Sequence, residues 1–215
     1  MEYSALIVAA GSGSRMGLGY NKMLYQFQNG KTILETTVQV FQKDPRCQQI
    51  IVVAGVDDLK VYQDLFIHRD ITYAIGGATR QESVYQGLQK VTHDHVLIHD
   101  GARPWLSMEC LDRLCDALSQ HRACLLMVPV KDTIKQVIDG KVVSTLKRSE
   151  LWQAQTPQAF STKLIVSCHK EAIKKQLEAT DDAQLVEVCS KESVYVVEGD
   201  YENLKVTTID DIKGR

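Results

Sequence analysis

Short runs of apolar residues recur along this chain, and they restrict its fold more than any other feature of the sequence. Most of these runs are apolar throughout rather than alternating with polar residues, which is typical of strands buried on both faces of a parallel sheet. The sequence therefore predicts strands at residues 4–10, 49–54, 71–75, 95–99 and 123–130.

The segments between these strands carry apolar residues at the spacing of amphipathic helices. Leu34, Val38 and Phe41 fall at positions i, i+4 and i+7, and similar stripes begin at Val84 and Leu111. Alternating strands and helices favour right-handed crossovers. We therefore predict an α/β fold with a Rossmann-like, mainly parallel sheet and helices on both faces. Helices are also predicted at 162–175 and 181–189, and strands at 194–198 and 204–207.

The alternation of strands and helices breaks after Val130. Asp139 and Gly140 separate two short segments rich in β-branched residues, a pattern typical of a β-hairpin. Because an isolated two-stranded hairpin is only marginally stable, we expect this arm to rest on a second subunit. The alternative is a hairpin folded back on its own domain. The prediction is a single domain over residues 1–215 with an inserted arm at about 131–155.

Composition narrows the class of protein. Hydrophobic residues make up 44% of the 215-residue chain and charged residues 24%, which is ordinary for a globular protein. A net charge of -2 supplies no basic field for nucleic acid. Apolar runs stay well short of the ~20 residues that span a bilayer, and the first residues do not resemble a signal peptide. We expect a cytoplasmic protein that binds neither nucleic acid nor membranes.

Small residues follow the first strand directly and allow a ligand to approach the backbone amides closely. Two phosphate-loop patterns fail here: Met16 stands where the dinucleotide fingerprint requires glycine, and Tyr25 stands where the Walker pattern does. A nucleotidyltransferase loop, in which Arg15 and Lys22 reach a triphosphate, fits better. The alternative is a loop that merely turns from strand to helix. The small residues at issue are Ala9, Ala10, Gly11 and Gly13.

Eight motifs in order resemble the 2-C-methyl-D-erythritol 4-phosphate cytidylyltransferases of the non-mevalonate isoprenoid pathway. The likeness covers nearly the whole chain and implies an α/β fold of the nucleotidyltransferase type. Asn21 and Met23 depart from it, since many relatives have proline and glutamine there, and Lys147 replaces a common aspartate. The motifs lie at 9–16, 21–23, 76–84, 99–104, 130–133, 151–158, 180–183 and 203–205.

The resemblance implies transfer of CMP from CTP to 2-C-methyl-D-erythritol 4-phosphate, with release of pyrophosphate. It also implies a homodimer formed through the arm and a divalent cation, usually Mg²⁺. Such phosphoryl chemistry needs alignment and neutralisation of charge more than covalent help from the protein. The resemblance assigns that catalytic role to Arg15, Lys22 and Lys205.

The resemblance also divides the substrate contacts. Asp100 would act near the ribose and is a candidate Mg²⁺ ligand, since hard carboxylates suit that ion. Ser83 would help to read the cytosine, although it is equally well placed to start a helix, and Arg80 would orient this loop. The nucleotide-binding set is Ala9, Ala10, Gly11, Gly13, Gly77, Ala78, Ser83, Asp100 and Gly101; the acceptor-binding set is Arg103 and Thr180, with Thr133 and Arg148 contributed by the neighbouring subunit's arm.

Three other functions compete with this hypothesis. A ribitol 5-phosphate cytidylyltransferase shares the fold and the chemistry, but the sequence at 180–187 looks more like the erythritol enzymes. A nucleotide-binding regulator without turnover is disfavoured because Arg15, Lys22 and Lys205 are all present. A Rossmann oxidoreductase is disfavoured by Met16 in the fingerprint.

Overall fold

The computed structural model describes residues 1–11 and 19–213. Nine strands are seen in this part of the chain, and seven of them form one sheet in the order β3-β2-β1-β4-β8-β5-β9. The strands are β1 (Tyr3–Ala9), β2 (Cys47–Ala54), β3 (Thr72–Ile75), β4 (His95–Asp100), β5 (Ala123–Pro129), β6 (Lys135–Ile138), β7 (Lys141–Thr145), β8 (Trp152–Ser161) and β9 (Tyr195–Glu198).

The sheet is parallel except at one strand. β8 runs antiparallel to both of its neighbours, β4 and β5, and all other neighbouring pairs are parallel. The predicted mainly parallel sheet is thus confirmed, and its first five strands fall where the apolar runs placed them. β8 was not predicted. The strand expected at 204–207 is wrong, because none of these residues belongs to a strand; Val206 N instead makes a single hydrogen bond, to Ala102 O at 2.8 Å.

Six α-helices among residues 1–11 and 19–213 cover the two faces of the sheet. One hydrophobic core contains side chains of α1, α2 and α4, and the other contains side chains of α3, α5 and α6. The amphipathic stripes are confirmed, while α2 was not predicted. The helices are α1 (Ile33–Gln42), α2 (Leu59–Leu65), α3 (Arg80–Leu88), α4 (Met108–Gln120), α5 (Thr162–Lys175) and α6 (Asp182–Cys189).

The inner strand β1 shows why the apolar runs do not alternate with polar residues. Ala5 and Ile7 belong to one core and Leu6 to the other, so each successive side chain is buried under helices. Burial of each large aliphatic side chain contributes about 1.5–3 kcal/mol. Because both faces of β1 are covered, its carboxyl end can serve a site without exposing the strand itself.

The hairpin formed by β6 and β7 stands apart from both cores. Asp139 and Gly140 have φ values of 49° and 75°, as a type I′ turn requires, which confirms the predicted hairpin. Val137, Ile138 and Val142 are 55%, 53% and 62% exposed. Residues 152–155, at the end of the predicted arm, belong to β8 of the large sheet instead. Within the described ranges, no helix is both long and apolar enough to cross a membrane.

Candidate active site

A cavity of about 340 Å³ opens at the carboxyl ends of β1, β3 and β4. Ligands of open α/β sheets bind at this edge, because the loops that follow the strands meet there. The cavity is lined by Val8, Ala10, Gly11, Lys22, Met23, Gly77, Ala78, Thr79, Arg80, Ser83, Asp100, Ala102 and Lys205.

The structure brings most of the predicted nucleotide-binding and catalytic residues together at this cavity. Ala9 and Gly101 are buried and adjoin lining residues in the chain; the amide of Gly101 donates to Val8 O at 2.9 Å. Gly13 and Arg15 lie outside the described residues. The cavity therefore unites segments that are up to about 200 residues apart in sequence, as an active site of the predicted kind requires.

Asp100 is the electrostatic centre of the cavity. Its carboxylate lies 2.8 Å from Lys205 Nζ, 3.2 Å from Arg80 Nε and 3.8 Å from Arg103 Nε. Burial raises the pKa of Asp100, but the nearby Arg80, Lys205 and Arg103 outweigh it and hold that pKa well below its usual range. Asp100 is therefore ionised at neutral pH and surrounded by more positive than negative charge.

Arg80, the first residue of α3, joins two carboxylates. Its Nε donates to Asp100 and its Nη1 donates to Asp182 Oδ2 at 2.8 Å. Burial lowers the pKa of Arg80, but Asp182 and Asp100 raise it further than burial lowers it, so the guanidinium stays charged. Asp182 is 1% exposed. No sequence pattern singled out Asp182 as a partner of Arg80, because 102 residues separate the two.

Lys22 lies in a short 3-10 turn directly beside the cavity. Its Nζ donates to Val206 O at 2.7 Å, which ties it to the segment that carries Lys205. The turn begins at Asn21, whose Oδ1 accepts from Met23 N at 3.0 Å. Asn21 Nδ2 donates to Gly11 O and to Asp58 Oδ2. The asparagine that departs from the family pattern therefore fixes the start of the glycine-rich loop relative to Lys22.

The loop between β3 and α3 is held by its own side chains. Ser83 Oγ accepts from Gly77 N at 3.1 Å and donates to Thr79 O at 2.9 Å, and Ala78 N donates to Glu82 Oε2. Ser83 lies within α3, which is capped by Thr79. Thr79, and not Ser83, therefore caps this helix, while Ser83 lies in its first turn and bonds to the preceding loop.

Space around the loop explains its small residues. A Cβ on Gly76 would lie 2.5 Å from Ala10 Cβ, and a Cβ on Gly77 would lie 2.4 Å from Glu82 Cβ. Glycine at these positions lets the loop pack closely against β1 and α3.

The residues predicted to bind the acceptor lie in three places. Arg103 borders the Asp100 cluster, and its Nη1 donates to Asn203 O at 2.6 Å. Thr180 is exposed before α6, and its Oγ1 donates to Gln184 Oε1. Thr133 and Arg148 are exposed at the base of the arm, where Arg148 Nη1 donates to Lys131 O at 2.9 Å. The structure of one chain does not bring this last pair to the cavity.

A buried polar network supports Asp100 from below. Thr156 Oγ1 accepts from Asp100 N at 3.0 Å, which leaves its hydroxyl hydrogen for His99 Nδ1, also at 3.0 Å. Nε2 of His99 can then donate to Arg103 O. Burial lowers the pKa of His99 to about 4, so the ring is neutral. Asn203 Nδ2 completes the support by donating to Thr156 O. Thr156 and Asn203 lie in motifs of the sequence but were not identified as site residues.

Comparison with known proteins agrees with this architecture. The family model of 2-C-methyl-D-erythritol 4-phosphate cytidylyltransferase matches residues 3–214. Proteins of that name from Bacillus velezensis and Geobacillus thermodenitrificans are 42% and 43% identical to the chain; each alignment covers 99% of it and 93% or 94% of the relative.

Two crystal structures extend the comparison to three dimensions. The 4-diphosphocytidyl-2C-methyl-D-erythritol synthase of Anaerococcus prevotii superposes with a TM-score of 0.86 at 34% identity, over 99% of this chain and 95% of that one. The 2-C-methyl-D-erythritol 4-phosphate cytidylyltransferase of Thermus thermophilus gives 0.84 at 32% identity, over 99% and 96%. Fold and sequence therefore point to the same family.

Proposed function

The chain belongs to the 2-C-methyl-D-erythritol 4-phosphate cytidylyltransferase family, and we propose that the cavity around Asp100 is where its substrates react. The enzyme transfers CMP from CTP to 2-C-methyl-D-erythritol 4-phosphate and releases pyrophosphate, a step of isoprenoid precursor synthesis. The observation that supports this location best is the cluster of Lys205, Arg80 and Arg103 around one carboxylate. Surplus positive charge of this kind attracts a triphosphate.

The reaction itself makes modest demands on protein groups. An oxygen of the acceptor phosphate forms a bond to the α-phosphorus of CTP, and the bond from that phosphorus to the bridging oxygen of pyrophosphate breaks. No general base is needed, because the attacking phosphate is already ionised. The protein must align the two phosphates and stabilise the charge on the crowded phosphorus.

Three basic residues are proposed for that stabilisation. The ammonium of Lys22 is held by Val206 O beside the cavity, and Lys205 lines the same cavity at 38% side-chain exposure. Lys205 can therefore exchange Asp100 for a phosphate oxygen without a change in the fold. Arg15 is the third, on the strength of the family pattern. Because Val206 O and Asp100 hold Lys22 and Lys205 in place, the charges of these two lysines would stabilise the transition state with little reorganisation of solvent.

The nucleotide is proposed to lie between the glycine-rich loop and the start of α3. The Gly77 and Ala78 amides already donate to Ser83 and Glu82, and the Ser83 hydroxyl hydrogen is directed to Thr79 O. Cytosine would therefore be read chiefly by carbonyl groups, and Ser83 Oγ could only accept a hydrogen bond from the base. Asp100 would accept from the ribose hydroxyls. The small residues Ala9, Ala10, Gly11, Gly13 and Gly101 would give the backbone its close approach.

A divalent cation, with Mg²⁺ as the natural choice, fits this cavity as a companion of the nucleotide. Mg²⁺ commonly binds through one or two carboxylates together with substrate phosphates. Asp100 supplies one ionised carboxylate among the lining residues, and within the described ranges no group of three or more His, Cys, Asp or Glu side chains gathers to form a protein-only site. Asp100 and the triphosphate would hold the ion, which would neutralise phosphate charge.

The acceptor site is proposed to be completed by a second subunit. Arg103 and Thr180 belong to the same chain as the cavity, whereas Thr133 and Arg148 are on the exposed arm. The apolar side chains of the arm provide the surface for a homodimer, and the partner's arm would carry its Thr133 and Arg148 to the acceptor phosphate. We also propose that the enzyme acts in the cytoplasm.

The assignment is tested by pyrophosphate release from CTP with Mg²⁺, using 2-C-methyl-D-erythritol 4-phosphate and ribitol 5-phosphate in parallel. Release with the erythritol compound is expected, and release with ribitol phosphate should be at least ~100-fold slower in kcat/KM, because the acceptor contacts differ. Turnover with ribitol phosphate alone would reassign the acceptor. Binding of CTP without turnover of either compound would contradict catalysis at this cavity.

A further inference from the structure

Asp182 is a buried carboxylate that lies outside the reaction cavity. It is the first residue of α6 and is 1% exposed. One carboxylate oxygen accepts from Arg80 Nη1 at 2.8 Å, and the other lies 3.6 Å from His169 Nε2. Burial raises the pKa of Asp182, but Arg80 and then His169 outweigh it and keep that pKa low. A buried charge of this kind is costly unless a partner compensates it, and Arg80 is that partner.

The guanidinium of Arg80 reaches from this buried carboxylate into the cavity. Its Nη1 is occupied by Asp182, while its Nε contacts Asp100 Oδ1 at the longer distance of 3.2 Å. The planar fork of arginine can hold two carboxylates at once in fixed directions, which a lysine cannot do. The shorter contact of Arg80 is therefore the one with Asp182, which does not line the cavity. This contact restricts how far the guanidinium can turn towards Asp100.

We propose that Asp182 is a positioning residue for nucleotide binding, which acts by holding Arg80 so that the Asp100 carboxylate stays open to the ribose. The inference rests on the proposed function, since it assumes that CTP occupies the cavity. Without the charge of Asp182, Arg80 would turn fully onto Asp100 or out to solvent. Either movement of Arg80 changes the charge next to Asp100 and the access of CTP to the Asp100 carboxylate oxygens.

The test is a double-mutant cycle with Arg80→Gln, Asp182→Asn and the double variant. The dissociation constant of CTP is measured by calorimetry with Mg²⁺, and kcat and both KM values by pyrophosphate release. Asp182→Asn should weaken CTP binding about tenfold, a size typical of coupling between residues in contact. The acceptor KM and kcat at saturating CTP should change less than about threefold. In the Arg80→Gln background, Asp182→Asn should change CTP affinity less than about twofold.

Gln81 provides a matched control between the same two parts of the fold. Its Nε2 donates to Leu177 O at 3.1 Å and its Oε1 accepts from Ala179 N at 3.0 Å, so Gln81→Ala also loosens α3 from the segment before α6. It leaves the charges around Arg80 in place. CTP affinity of Gln81→Ala should stay within about twofold of wild type, whereas an equal loss in this variant would mean that general packing is responsible.

Folding is controlled separately. If Asp182→Asn is too unstable to study, Arg80→Lys tests the same idea, because a point charge on lysine contacts only one of the two carboxylates. It should weaken CTP binding about tenfold, and wild-type affinity would overturn the proposal. Additive effects in the cycle, or wild-type affinity in a folded Asp182→Asn protein, would also overturn it. Failure of the proposed function is distinguishable, since the wild-type enzyme itself would then release no pyrophosphate.

Discussion

The Asp100 cavity and the hairpin arm are built on opposite principles. Around the cavity, charged side chains are partly or fully buried and each holds a fixed partner, as Asp100 does with Lys205 and Arg80. On the arm, the strands β6 and β7 carry valine and isoleucine side chains that are more than half exposed. The charged side chains around the cavity find their partners within the same chain, whereas the arm presents an apolar surface that another molecule can cover.

This difference separates what substitutions in each region should do. In the cavity, a single substitution alters charges and hydrogen bonds that lie within one subunit. The reaction rate and the pH dependence of stability should therefore change. On the arm, little of the fold depends on the exposed residues, so stability of the subunit should hardly change. Effects there should appear in association and in acceptor binding.

The largest effect is expected for Lys22→Ala in the cavity. Loss of this preorganised cation should lower kcat about 10²- to 10³-fold, as removal of a donor to transition-state charge does. Rates of pyrophosphate release measure it, and sedimentation should show an unchanged assembly state, since Lys22 is not part of the arm. Near-normal turnover would show that the cavity does not depend on Lys22.

The neutral His99 beneath the cavity should make stability depend on pH. The unfolded chain binds this proton near pH 6.5 and the folded protein only near 4, so the unfolded state holds more protons between these values. The free energy of unfolding should therefore fall by about 3 kcal/mol as the pH drops through this window. Urea denaturation of wild type and His99→Gln should show that the variant lacks this part of the slope.

The exposed His68 supplies the control for that measurement. His68→Gln should keep the wild-type slope, because this exposed side chain lies outside the buried network that contains His99. The arm segment at 131–151 contains no histidine, so this pH response of stability comes from the cavity region and not from the arm. Equal slopes for wild type and His99→Gln would mean that His99 is not held neutral.

Val142→Asp should weaken association through the arm and leave CTP binding in the cavity unchanged. Burial of an unpaired carboxylate at the proposed interface is unfavourable, so the dissociation constant of the proposed homodimer should rise about 30-fold. Analytical ultracentrifugation measures this, and calorimetry should show unchanged CTP affinity. Val56→Asp is the matched control, because Val56 is exposed to a similar degree at 69% against 62% but lies in a loop outside the arm. A wild-type dimer constant for Val142→Asp would place the interface elsewhere.

Arg148→Ala should have the smallest effect and should be selective. Loss of one charged donor to the acceptor phosphate should raise the acceptor KM about tenfold and leave CTP affinity unchanged. Steady-state kinetics with each substrate varied in turn separate the two. An equal loss of CTP affinity in calorimetry would remove the distinction between arm and cavity on which the assignment of Arg148 depends.

Much of the sheet could be predicted from the sequence because its strands are apolar on both faces. β8 escaped because its inner half is rich in polar residues. Gln158 is buried, but its amide is satisfied by Asp181 and by Ala183 N, and Thr156 is satisfied by the backbone of Asp100. Hydrophobic periodicity cannot foresee a strand whose buried side chains are compensated by partners distant in sequence.

The candidate site divides in the same way. Lys22, Asp100 and Lys205 could be assigned because the glycine-rich loop, a strand end and a family motif mark them. Asp182 and Asn203 could not be assigned in this way. Asp182 acts through Arg80, 102 residues away, and Asn203 acts through its contacts with Arg103, 100 residues away, and with the Thr156 carbonyl. Such contacts depend on how the sheet is assembled, which spacing along the chain does not record.

The gathering of cations around Asp100 also determines how the enzyme responds to its medium. Arg80, Arg103 and Lys205 contribute three positive charges against the two negative charges of Asp100 and Asp182, which leaves a local surplus of one. Such a surplus raises the concentration of polyanions near the cavity mouth, and dissolved salt screens it over about 10 Å at 0.1 M. The rate of nucleotide capture should therefore decline as ionic strength increases, so buffer salt sets the speed of the first encounter.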